Sequence, residues 1–422
     1  MKPTRIRVFL ATMVFAVSMS RAQNVVTDWN AIASHTIVSP LGKPVSFAPY
    51  FAFTSIAVYD AVNSIHGRFR PFYFAGVTDR NASDEAAAIA AAHRVLLRYF
   101  PGQQADLDAQ FNQSLGNLAA SERAKQEGVE AGEAAAQALI AARTGDGLEA
   151  DVPYLPGTDP GDWQPTPPGF LAPAVPWMGK LRPFTMKNPS QFRAAGPYAL
   201  SSEEWASDYN LTRLFGDAQS TLRTPGQTEI GLFWTEHAGQ QYARAWNYLV
   251  QNYKLNVMDS ARLMAILWTG LADALIGCFD AKYEFGFWRP VTAIRAGGGN
   301  AELTADPGWT PLGITPNHPE YPSAHGCGSS AVSTLVADFF GTPKVHVVVD
   351  SLAFSDGIHT HTFESTAAWF DEVFWARIYI GFHFHHALQD GAEMGRRIGA
   401  QLFQLYFQPL PPGRRGESAD SH

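Results

Sequence analysis

Cysteine is almost absent from this 422-residue sequence, which contains only Cys278 and Cys327. Two cysteines cannot form the disulfide framework that stabilises many small secreted domains. They can form one bridge or remain as two buried free thiols, and the sequence leaves both alternatives open. Long runs of like charge are also absent, and the formal net charge is −8. Nucleic acid and an acidic membrane surface are therefore not expected as partners.

Uninterrupted apolar runs are short in the body of the chain. A membrane span requires roughly 18 apolar residues, and the best candidate, LMAILWTGLADALIG, is interrupted by Asp273. We therefore expect no membrane span in the mature protein. Residues 1–22 differ, because basic residues precede an apolar run and a small-x-small site at Ser20 and Ala22. This pattern predicts a cleaved signal peptide and export to the periplasm or out of the cell.

Strand-like alternation is also scarce, and KVHVVV (344–349) is the only segment that suggests a strand. Helical periodicity dominates instead, with apolar residues recurring at spacings of three and four. Helices are predicted over five segments: 51–65, 84–100, 121–144, 227–253 and 259–279. The sequence therefore predicts an all-α protein built from helical bundles.

Proline and glycine are concentrated in the middle of the chain, with ten prolines and four glycines between residues 151 and 190. Because neither residue favours a helix, this region is predicted to be a long loop. Its aromatic residues indicate that the loop packs on the body of the protein: Trp163, Phe170, Trp177 and Phe184. The predicted units are a signal peptide (1–22), an N-terminal helical half (23–150), the packed loop (151–200), a C-terminal helical bundle with the functional site (201–408) and a disordered tail (409–422).

The segment EYPSAHGCGSS (320–330) combines small residues with a hydroxyl and an imidazole, immediately before the helix-like run AVSTLVADFF. The first N–H groups of a helix have no partner inside the helix and attract anions. Ser323 adds a hydroxyl, Ala324 a backbone N–H, and His325 a group that exchanges protons near neutral pH. The segment therefore predicts an anion site.

Two further segments supply cations and a second histidine: Lys282 and Arg289 in KYEFGFWRP (282–290), and Arg377 and His383 in ARIYIGFHFHHALQDG (376–391). Gly381 is expected to interrupt the helix between Arg377 and His383. Lys282 and Arg289 are seven positions apart and would share one face of a continuous helix, unless Gly286 interrupts it. Together the three segments offer three cations, a hydroxyl, a backbone N–H and two imidazoles. Such a set suits one tetrahedral oxyanion.

The order K-x6-R-P, P-S-x-H and R-x5-H resembles the three-part signature shared by vanadium-dependent haloperoxidases and the type-2 phosphatidic acid phosphatase superfamily, which includes soluble bacterial acid phosphatases. Looser similarity to exported bacterial haloperoxidase-like proteins extends over most of the mature chain. The resemblance implies an all-α fold that holds a buried vanadate or phosphate through Lys282, Arg289, Ser323, the Ala324 N–H and Arg377. His383 matches the histidine that binds vanadium in the peroxidases and is phosphorylated in the phosphatases. His325 matches the histidine that moves a proton.

The sequence departs from this signature at two positions. Ala324 replaces the usual glycine and adds one methyl group near the oxyanion. Ala387 stands where the acid phosphatases have an aspartate that orients the last histidine. His386 or Asp390, one helical turn or two from His383, is therefore expected to take that role.

A further group of residues is expected to contact the halide or to support the site. His318 is the most informative of them, because a histidine at this place resembles the bromoperoxidases more than the chloroperoxidases. Phe279 and Trp288 complete the group, together with His386 and Asp390. The pattern favours bromide or iodide as the halide.

The resemblance implies a vanadate-dependent haloperoxidase that uses hydrogen peroxide, a halide and a small organic acceptor. The main alternative is an exported acid phosphatase that acts through a phosphohistidine at the same site. A zinc site formed by HTHTF (359–363) and HFHH (383–386) and a protein that only stores or senses oxyanion are weaker alternatives. His359 and His361 are instead expected to be loop residues near the pocket mouth. Cys327 is expected to be structural, because on a helix its side chain points away from His325. A homo-oligomer is expected from the resemblance alone.

Overall fold

The computed structural model describes residues 24–43 and 46–411. Within this part of the chain there are thirteen α-helices and one antiparallel two-stranded sheet. The predicted all-α class is confirmed. The predicted signal peptide lies outside the described residues, so export of the protein stays a prediction.

The N-terminal half contains α1 (Val25–Val38), α2 (Phe47–His66), α3 (Asp84–Tyr99), α4 (Gln104–Gly116) and α5 (Glu122–Arg143). The C-terminal half contains α6 (Glu203–Phe215), α7 (Pro225–Phe233), α8 (Ala238–Asn252), α9 (Val257–Phe285), α10 (Pro290–Ala296), α11 (Ala324–Phe340), α12 (Thr366–Tyr379) and α13 (His385–Leu405). Between α11 and α12, β1 (Val347–Phe354) pairs with β2 (Gly357–Phe363).

The helix predicted over 227–253 is wrong as a single element, because the chain forms α7 and α8 with a break between them. Trp234 ends α7, and the His237 side chain caps α8 by accepting the Gly239 N–H at Nδ1, 3.1 Å away. The break frees the Trp234 carbonyl, which accepts a hydrogen bond from Arg377 Nη1 at 2.9 Å. The break between α7 and α8, which hydrophobic periodicity does not reveal, therefore helps to position Arg377.

The only segment that suggested a strand is part of a β-hairpin, in which Val349 lies opposite His361. His359 and His361 were expected in a loop near the pocket mouth, and this expectation is wrong because both lie on β2. They contact Glu229 of α7 through hydrogen bonds of 3.0 and 3.3 Å. The hairpin packs on α7, α8 and α12 at the side of the bundle.

Helix α9 runs through the centre of the protein, where α2, α11 and α13 pack against it. By length and composition alone α9 could cross a membrane, so the expectation that no internal segment is long enough is wrong. Its apolar 18-residue window is completely buried inside the protein. Asp273 is tolerated there because its carboxylate accepts the backbone N–H groups of Phe184 and Thr185 at 2.7 and 2.8 Å.

The two predicted helical halves share one hydrophobic core, which extends from Val25 in α1 to Phe407 after α13. The proline-rich loop between them packs on this core, since Trp163, Trp177 and Phe184 are buried. Phe170 does not pack as expected and is 64% exposed. Leu410, within the predicted tail, donates its N–H to the Arg68 carbonyl at 2.9 Å, and residues 412–422 lie outside the described residues.

Helices α11 and α13 pack closely at the point where α11 begins. A Cβ atom on Gly391 of α13 would lie 2.9 Å from the Ser323 carbonyl oxygen and 3.1 Å from the Cys327 backbone nitrogen. Glycine is therefore required for this approach. The contact fixes the start of α11, and with it the segment that was predicted to bind an anion.

Candidate active site

Lys282 and Arg289 are brought together by a turn between two helices. Lys282 lies in the last turn of α9, which ends at Gly286 in the left-handed conformation with φ 55°. Arg289 immediately precedes α10. Both side chains are completely buried. The chain therefore leaves the helix at Gly286, one of the two alternatives left open, and the two cations meet without sharing one helix face.

The Lys282 amine holds the segment that precedes Ser323. Its Nζ donates to the carbonyl oxygens of Pro319 and Glu320 at 2.9 Å and to that of Pro322 at 2.5 Å. An ammonium group has three protons, so all of its donors are used. Lys282 contributes its charge to the site and fixes the loop that carries the anion-binding motif.

Arg289 links three segments of the site. Its Nε donates to the His318 carbonyl at 2.8 Å, and its Nη1 donates to the Phe382 carbonyl at 3.0 Å. Nη1 also lies 3.3 Å from His383 Nε2, and Nη2 lies 3.0 Å from His318 Nδ1. Because a guanidinium group can only donate, His383 Nε2 accepts the contact from Nη1 and is unprotonated.

Ser323 caps α11, as its hydroxyl oxygen accepts the Gly326 N–H at 3.2 Å. Ala324 is the first residue of the helix. No hydrogen bond within the described residues occupies the N–H groups of Ala324 and His325. These two donors at a helix N-terminus are available to an anion, as predicted from the sequence.

Arg377 lies near the end of α12 and reaches the same region. Its Nη1 is held by the Trp234 carbonyl, and the guanidinium lies over the Phe382 ring at 4.9 Å. Its buried Nε has no hydrogen-bond partner in the described part of the protein. Gly381 has φ 80°, and a Cβ there would lie 2.6 Å from the Gly216 carbonyl oxygen. The chain thus turns after α12 and places His383 beside Arg289.

His383 is oriented by Glu320, a residue that was not predicted to belong to the site. Its Nδ1 lies 2.7 Å from Glu320 Oε1, which also accepts the Phe384 N–H at 3.0 Å. Since Arg289 fixes Nε2 as the unprotonated nitrogen, Nδ1 carries the proton and donates it to the carboxylate. The imidazole therefore presents the Nε2 lone pair to the buried cations. The sequence contained one indication of this partner, a carboxylate two residues before the P-S-x-H motif.

The supporting partners proposed for His383 are therefore wrong. Asp390 instead accepts a hydrogen bond from the Tyr321 hydroxyl and lies 3.2 Å from His386 Nε2. The His386 ring stacks on Tyr198 at 3.7 Å. Trp288 packs in a second apolar cluster that includes Trp205. These residues pack around the start of α13. Within the described part of the chain, none of them forms a hydrogen bond with His383.

Two unpredicted residues hold the backbone around His383. Thr212 of α6 donates its hydroxyl to the His383 carbonyl at 3.1 Å. Asp208, also of α6, accepts the His386 N–H at 2.8 Å and so caps the beginning of α13. Helix α6 therefore positions the segment between α12 and α13, a role that only the tertiary structure reveals.

Burial of three cations in one region lowers the pKa of each: Lys282 to about 8, Arg289 to about 10 and Arg377 to about 9. Desolvation of the charged forms is the largest cause. Burial likewise raises the pKa of Glu320 to about 8, against the opposing charges of Lys282 and Arg289. The cluster thus holds more positive than negative charge, and a bound oxyanion would stabilise it.

His325 is half-buried and lines a cavity of about 140 Å³. Burial, with the charge of Arg377 as the next cause, keeps the pKa of His325 well below its usual value. His318, Phe279 and Ala324 also line the cavity. The neutral imidazole of His325 can therefore accept a proton from a molecule that enters between the cavity and the cationic cluster.

Comparison with known proteins agrees with this arrangement. The family model described as the VCPO second helical-bundle domain matches residues 262–410, which contain all of the predicted anion-binding residues. Residues 262–410 are therefore similar to a helical-bundle domain of the vanadium haloperoxidases. The predicted relationship to the vanadium haloperoxidases is thereby confirmed.

Proteins similar to this chain include the vanadium chloroperoxidase of Curvularia inaequalis, which is 28% identical over 199 residues. The match covers 39% of this chain and 32% of that protein, so the chain spans about a third of the length of this curated relative. The crystal structure of the first bacterial vanadium-dependent iodoperoxidase is similar over 92% of this chain and 98% of that chain, with a TM-score of 0.78 and 20% identity. A holo-type bacterial vanadium-dependent chloroperoxidase is similar over 91% of this chain and 96% of that chain, with a TM-score of 0.71 and 18% identity. The fold therefore extends well beyond the matched domain.

The residues of the matched domain fit a tetrahedral oxyanion such as vanadate. Arg377 Nε is buried without a partner among the described residues, and the N–H groups at the start of α11 are likewise available. His383 adds a neutral nitrogen donor with its lone pair directed to the same region. Cationic and N–H donors around one imidazole suit an anionic metal oxide better than a bare divalent cation.

The zinc interpretation finds no support in the described residues. His361 of HTHTF binds Glu372 at 2.6 Å through Nδ1, whereas His383 of HFHH binds Glu320. The two histidine segments therefore have separate partners. No group of three or more His, Cys, Asp or Glu side chains within residues 24–43 and 46–411 is placed to hold a metal ion.

Cys278 and Cys327 are buried free thiols, which is one of the two alternatives left open by the sequence. Cys278 Sγ lies 3.5 Å from the Pro322 carbonyl, the same oxygen that accepts a hydrogen bond from Lys282. Cys327 packs against Gly391 of α13, with Sγ 3.4 Å from the position of a Cβ atom there. Both thiols belong to the packing behind the anion-binding segment.

Proposed function

We propose that this protein is a vanadate-dependent haloperoxidase that uses hydrogen peroxide to oxidise bromide or iodide to hypohalous acid. The observation that carries the proposal is the neutral His383 imidazole, which Glu320 holds at Nδ1 while the unprotonated Nε2 lies 3.3 Å from Arg289 Nη1. Lys282 and Arg377 add two further buried cations to the same region. A nitrogen ligand within an excess of positive charge is the environment that an anionic vanadate requires.

Each residue has a distinct role in this proposal. His383 would bind vanadium through Nε2, while Arg289, Arg377, the Ser323 hydroxyl and the Ala324 N–H would hold the oxygens. Vanadate, when bound, supplies a Lewis acid that makes hydrogen peroxide reactive towards halide and keeps its oxidation state. His325, which is neutral near pH 7, would accept the proton that peroxide loses on entering the site. Lys282 keeps the Pro319–Pro322 segment in place and adds positive charge.

Bromide or iodide is proposed as the halide because His318 lies at the cavity, beside Arg289 and with its ring 5.2 Å from that of Phe279. This environment is polarizable and contains a positive charge. The similarity to an iodoperoxidase at a TM-score of 0.78, against 0.71 for a chloroperoxidase, gives modest further support for iodide.

An acid phosphatase is the second candidate, and one observation favours it. The absence of an aspartate at Ala387 argued against a phosphohistidine mechanism, but Glu320 supplies a carboxylate to His383 from another segment. A histidine activated in this way can serve as a nucleophile for phosphoryl transfer. The cationic site is equally suited to phosphate.

A paired assay on one metal-free preparation separates the two candidates. We would measure peroxide-dependent bromination and iodination of a phenolic dye, and hydrolysis of a phosphate monoester, each with and without orthovanadate. Halogenation that requires vanadate supports the haloperoxidase. Phosphate hydrolysis that vanadate inhibits, without halogenation, would reject it in favour of the phosphatase.

We also propose that the protein is exported after removal of residues 1–22. Mass spectrometry of the secreted protein should find an N-terminus at Gln23.

A homo-oligomer is proposed only from the resemblance, and sedimentation of the purified protein tests it directly.

A further inference from the structure

The cavity beside His325 is built by both halves of the chain. Phe47 of α2 and Ala238 of α8 form part of its wall, and Leu271, Leu275 and Phe279 of α9 form another part. Its volume is about 140 Å³. A buried apolar cavity of about 150 Å³ in another protein takes up one benzene molecule. The space beside His325 therefore corresponds to one six-membered aromatic ring.

The cavity is suited to an uncharged ligand. No Asp, Glu, Lys or Arg is among the described residues that line it. Tyr242 and Ser329 are polar, but their hydroxyl groups lie 2.6 Å apart and bind each other. With the N–H groups of Ala324 and His325 reserved for the oxyanion, a carboxylate or ammonium group on the ligand would therefore lose its hydration without gaining a partner. One hydroxyl on the ring could still approach His318 or His325 at the end of the cavity.

The position of the cavity connects it to the anion site. Ala324 and His325 line the cavity and also begin α11, where the predicted anion-binding N–H groups lie. His318, another lining residue, has Nδ1 3.0 Å from Arg289 Nη2. A ring in the cavity would thus lie next to the place where an oxidant forms.

We propose that this cavity is an acceptor site that binds a single uncharged aromatic ring of about phenol size and holds it for halogenation inside the protein. The inference rests on the proposed haloperoxidase function, which supplies hypohalous acid. In the reaction a ring carbon forms a bond to the halogen while the halogen–oxygen bond breaks. The proton displaced from that carbon joins the departing hydroxide as water. Halogenation would then depend on the fit of the ring in the cavity.

The first test measures phenol binding to the anion-free protein by calorimetry, without any turnover. Ala238→Phe fills the cavity, and we expect phenol affinity to fall at least about tenfold, since a pocket distinguishes even single methylene groups by that factor. Ala138→Phe is the matched control, because Ala138 is a half-buried helical alanine in α5 that does not line the cavity. Equal phenol affinity in the wild type and Ala238→Phe, or no phenol binding by the wild type, would overturn the inference.

A second variant keeps the test decisive if Ala238→Phe does not fold. Leu275→Ala enlarges the cavity, and we expect the variant to gain affinity for 2-naphthol relative to phenol by at least about tenfold. An unchanged ratio of the two affinities in a folded variant would contradict the assignment.

Triiodide formation from iodide and peroxide, with vanadate and without an organic acceptor, tests the proposed function separately. Triiodide formation by the wild type together with unaltered phenol affinity in Ala238→Phe rejects the acceptor site and leaves the function standing. Phenol binding that Ala238→Phe removes, without triiodide formation, supports the ring site and rejects the haloperoxidase function.

Discussion

Glu320 Oε1 lies 2.7 Å from His383 Nδ1, across 63 positions of sequence and with neither side chain exposed by more than 2%. This hydrogen bond decides which imidazole nitrogen is protonated. It leaves Nε2 as a lone-pair donor in a region that otherwise contains Lys282, Arg289 and Arg377. The pairing therefore links the loop before α11 to the segment before α13 and defines the chemistry that the site can perform.

Glu320→Gln should weaken vanadate binding by about 10 to 100-fold, the usual effect of removing a carboxylate behind a ligating histidine. Glutamine keeps the size and one acceptor oxygen but cannot ionise, and the ionised carboxylate, which is favoured above the raised pKa of about 8, is the form that makes His383 Nε2 basic. Calorimetric titration with orthovanadate measures the effect. Asp390→Asn is the matched control, since Asp390 contacts Tyr321 and His386. Equal losses in the two variants would contradict a specific role for Glu320.

His383→Ala should abolish vanadate binding and halide oxidation together, because it removes the proposed vanadium ligand. His385→Ala, two positions further along the chain, should retain both properties. The His385 ring contacts Phe374 and Trp375. Within the described residues, His385 forms no hydrogen bond with Glu320. Orthovanadate affinity close to the wild-type value in His383→Ala would reject the assignment.

Arg377→Met should weaken oxyanion binding by about 3 kcal/mol, the order expected when one member of a buried charge pair is removed. That loss corresponds to roughly a hundredfold in the dissociation constant. The variant Arg397→Met provides a comparison, because Arg397 stacks on Phe192 outside the site. Titration of both variants with orthovanadate should show the loss only for Arg377, and a similar affinity for the two would argue against direct anion contact.

Lys282→Ala should weaken binding by a similar amount and also release the Pro319–Pro322 segment.

The stabilisation of the protein by sulfate should fall as pH rises through about 8, because burial lowers the pKa of Lys282 to about 8. A bound anion favours the charged amine and raises this pKa. Above pH 8 binding must therefore take up a proton, and the affinity decreases by up to about tenfold per pH unit. Sulfate itself does not titrate in this range. The measurement is the sulfate-induced rise in melting temperature from pH 6 to 9.5, with chloride at equal ionic strength as control, and a constant rise would contradict the prediction.

Cys327→Ser should leave activity largely intact, because Cys327 is a buried packing residue at the contact of α11 with α13. Burial raises the pKa of this thiol well above its usual value, which makes it a poor nucleophile. A thiol reagent should modify neither cysteine in the native protein and both after unfolding. Rapid modification of the native protein, or a loss of turnover in a folded Cys327→Ser variant, would indicate a chemical role.

Much of the site could be predicted from the sequence because its residues lie in three short motifs with characteristic spacing. Ser323, Ala324 and His325 begin a helix as the small residues and the following apolar run suggested. The breaks at Gly286 and Gly381 follow from positive φ angles that glycine adopts readily. These features depend on residues that are close together in the chain, so the local sequence was sufficient to predict them.

The rest depends on contacts between distant segments. The partner of His383 was expected within its own helix, at His386 or Asp390, but the carboxylate comes from Glu320. The Lys282 amine was assigned to the anion, whereas its protons bind three carbonyl oxygens of the neighbouring loop. Spacing along one segment cannot predict which backbone oxygens another segment presents. For the same reason, the break between α7 and α8 was not predicted.

The most direct test of the proposal is the rate of triiodide formation from iodide and hydrogen peroxide, measured while orthovanadate is added to the metal-free mature protein. The proposal predicts that activity rises from zero and saturates at one vanadate per chain, and that His383→Ala stays inactive throughout the titration. No activity at any vanadate concentration, or equal activity in wild type and His383→Ala, would contradict the central claim.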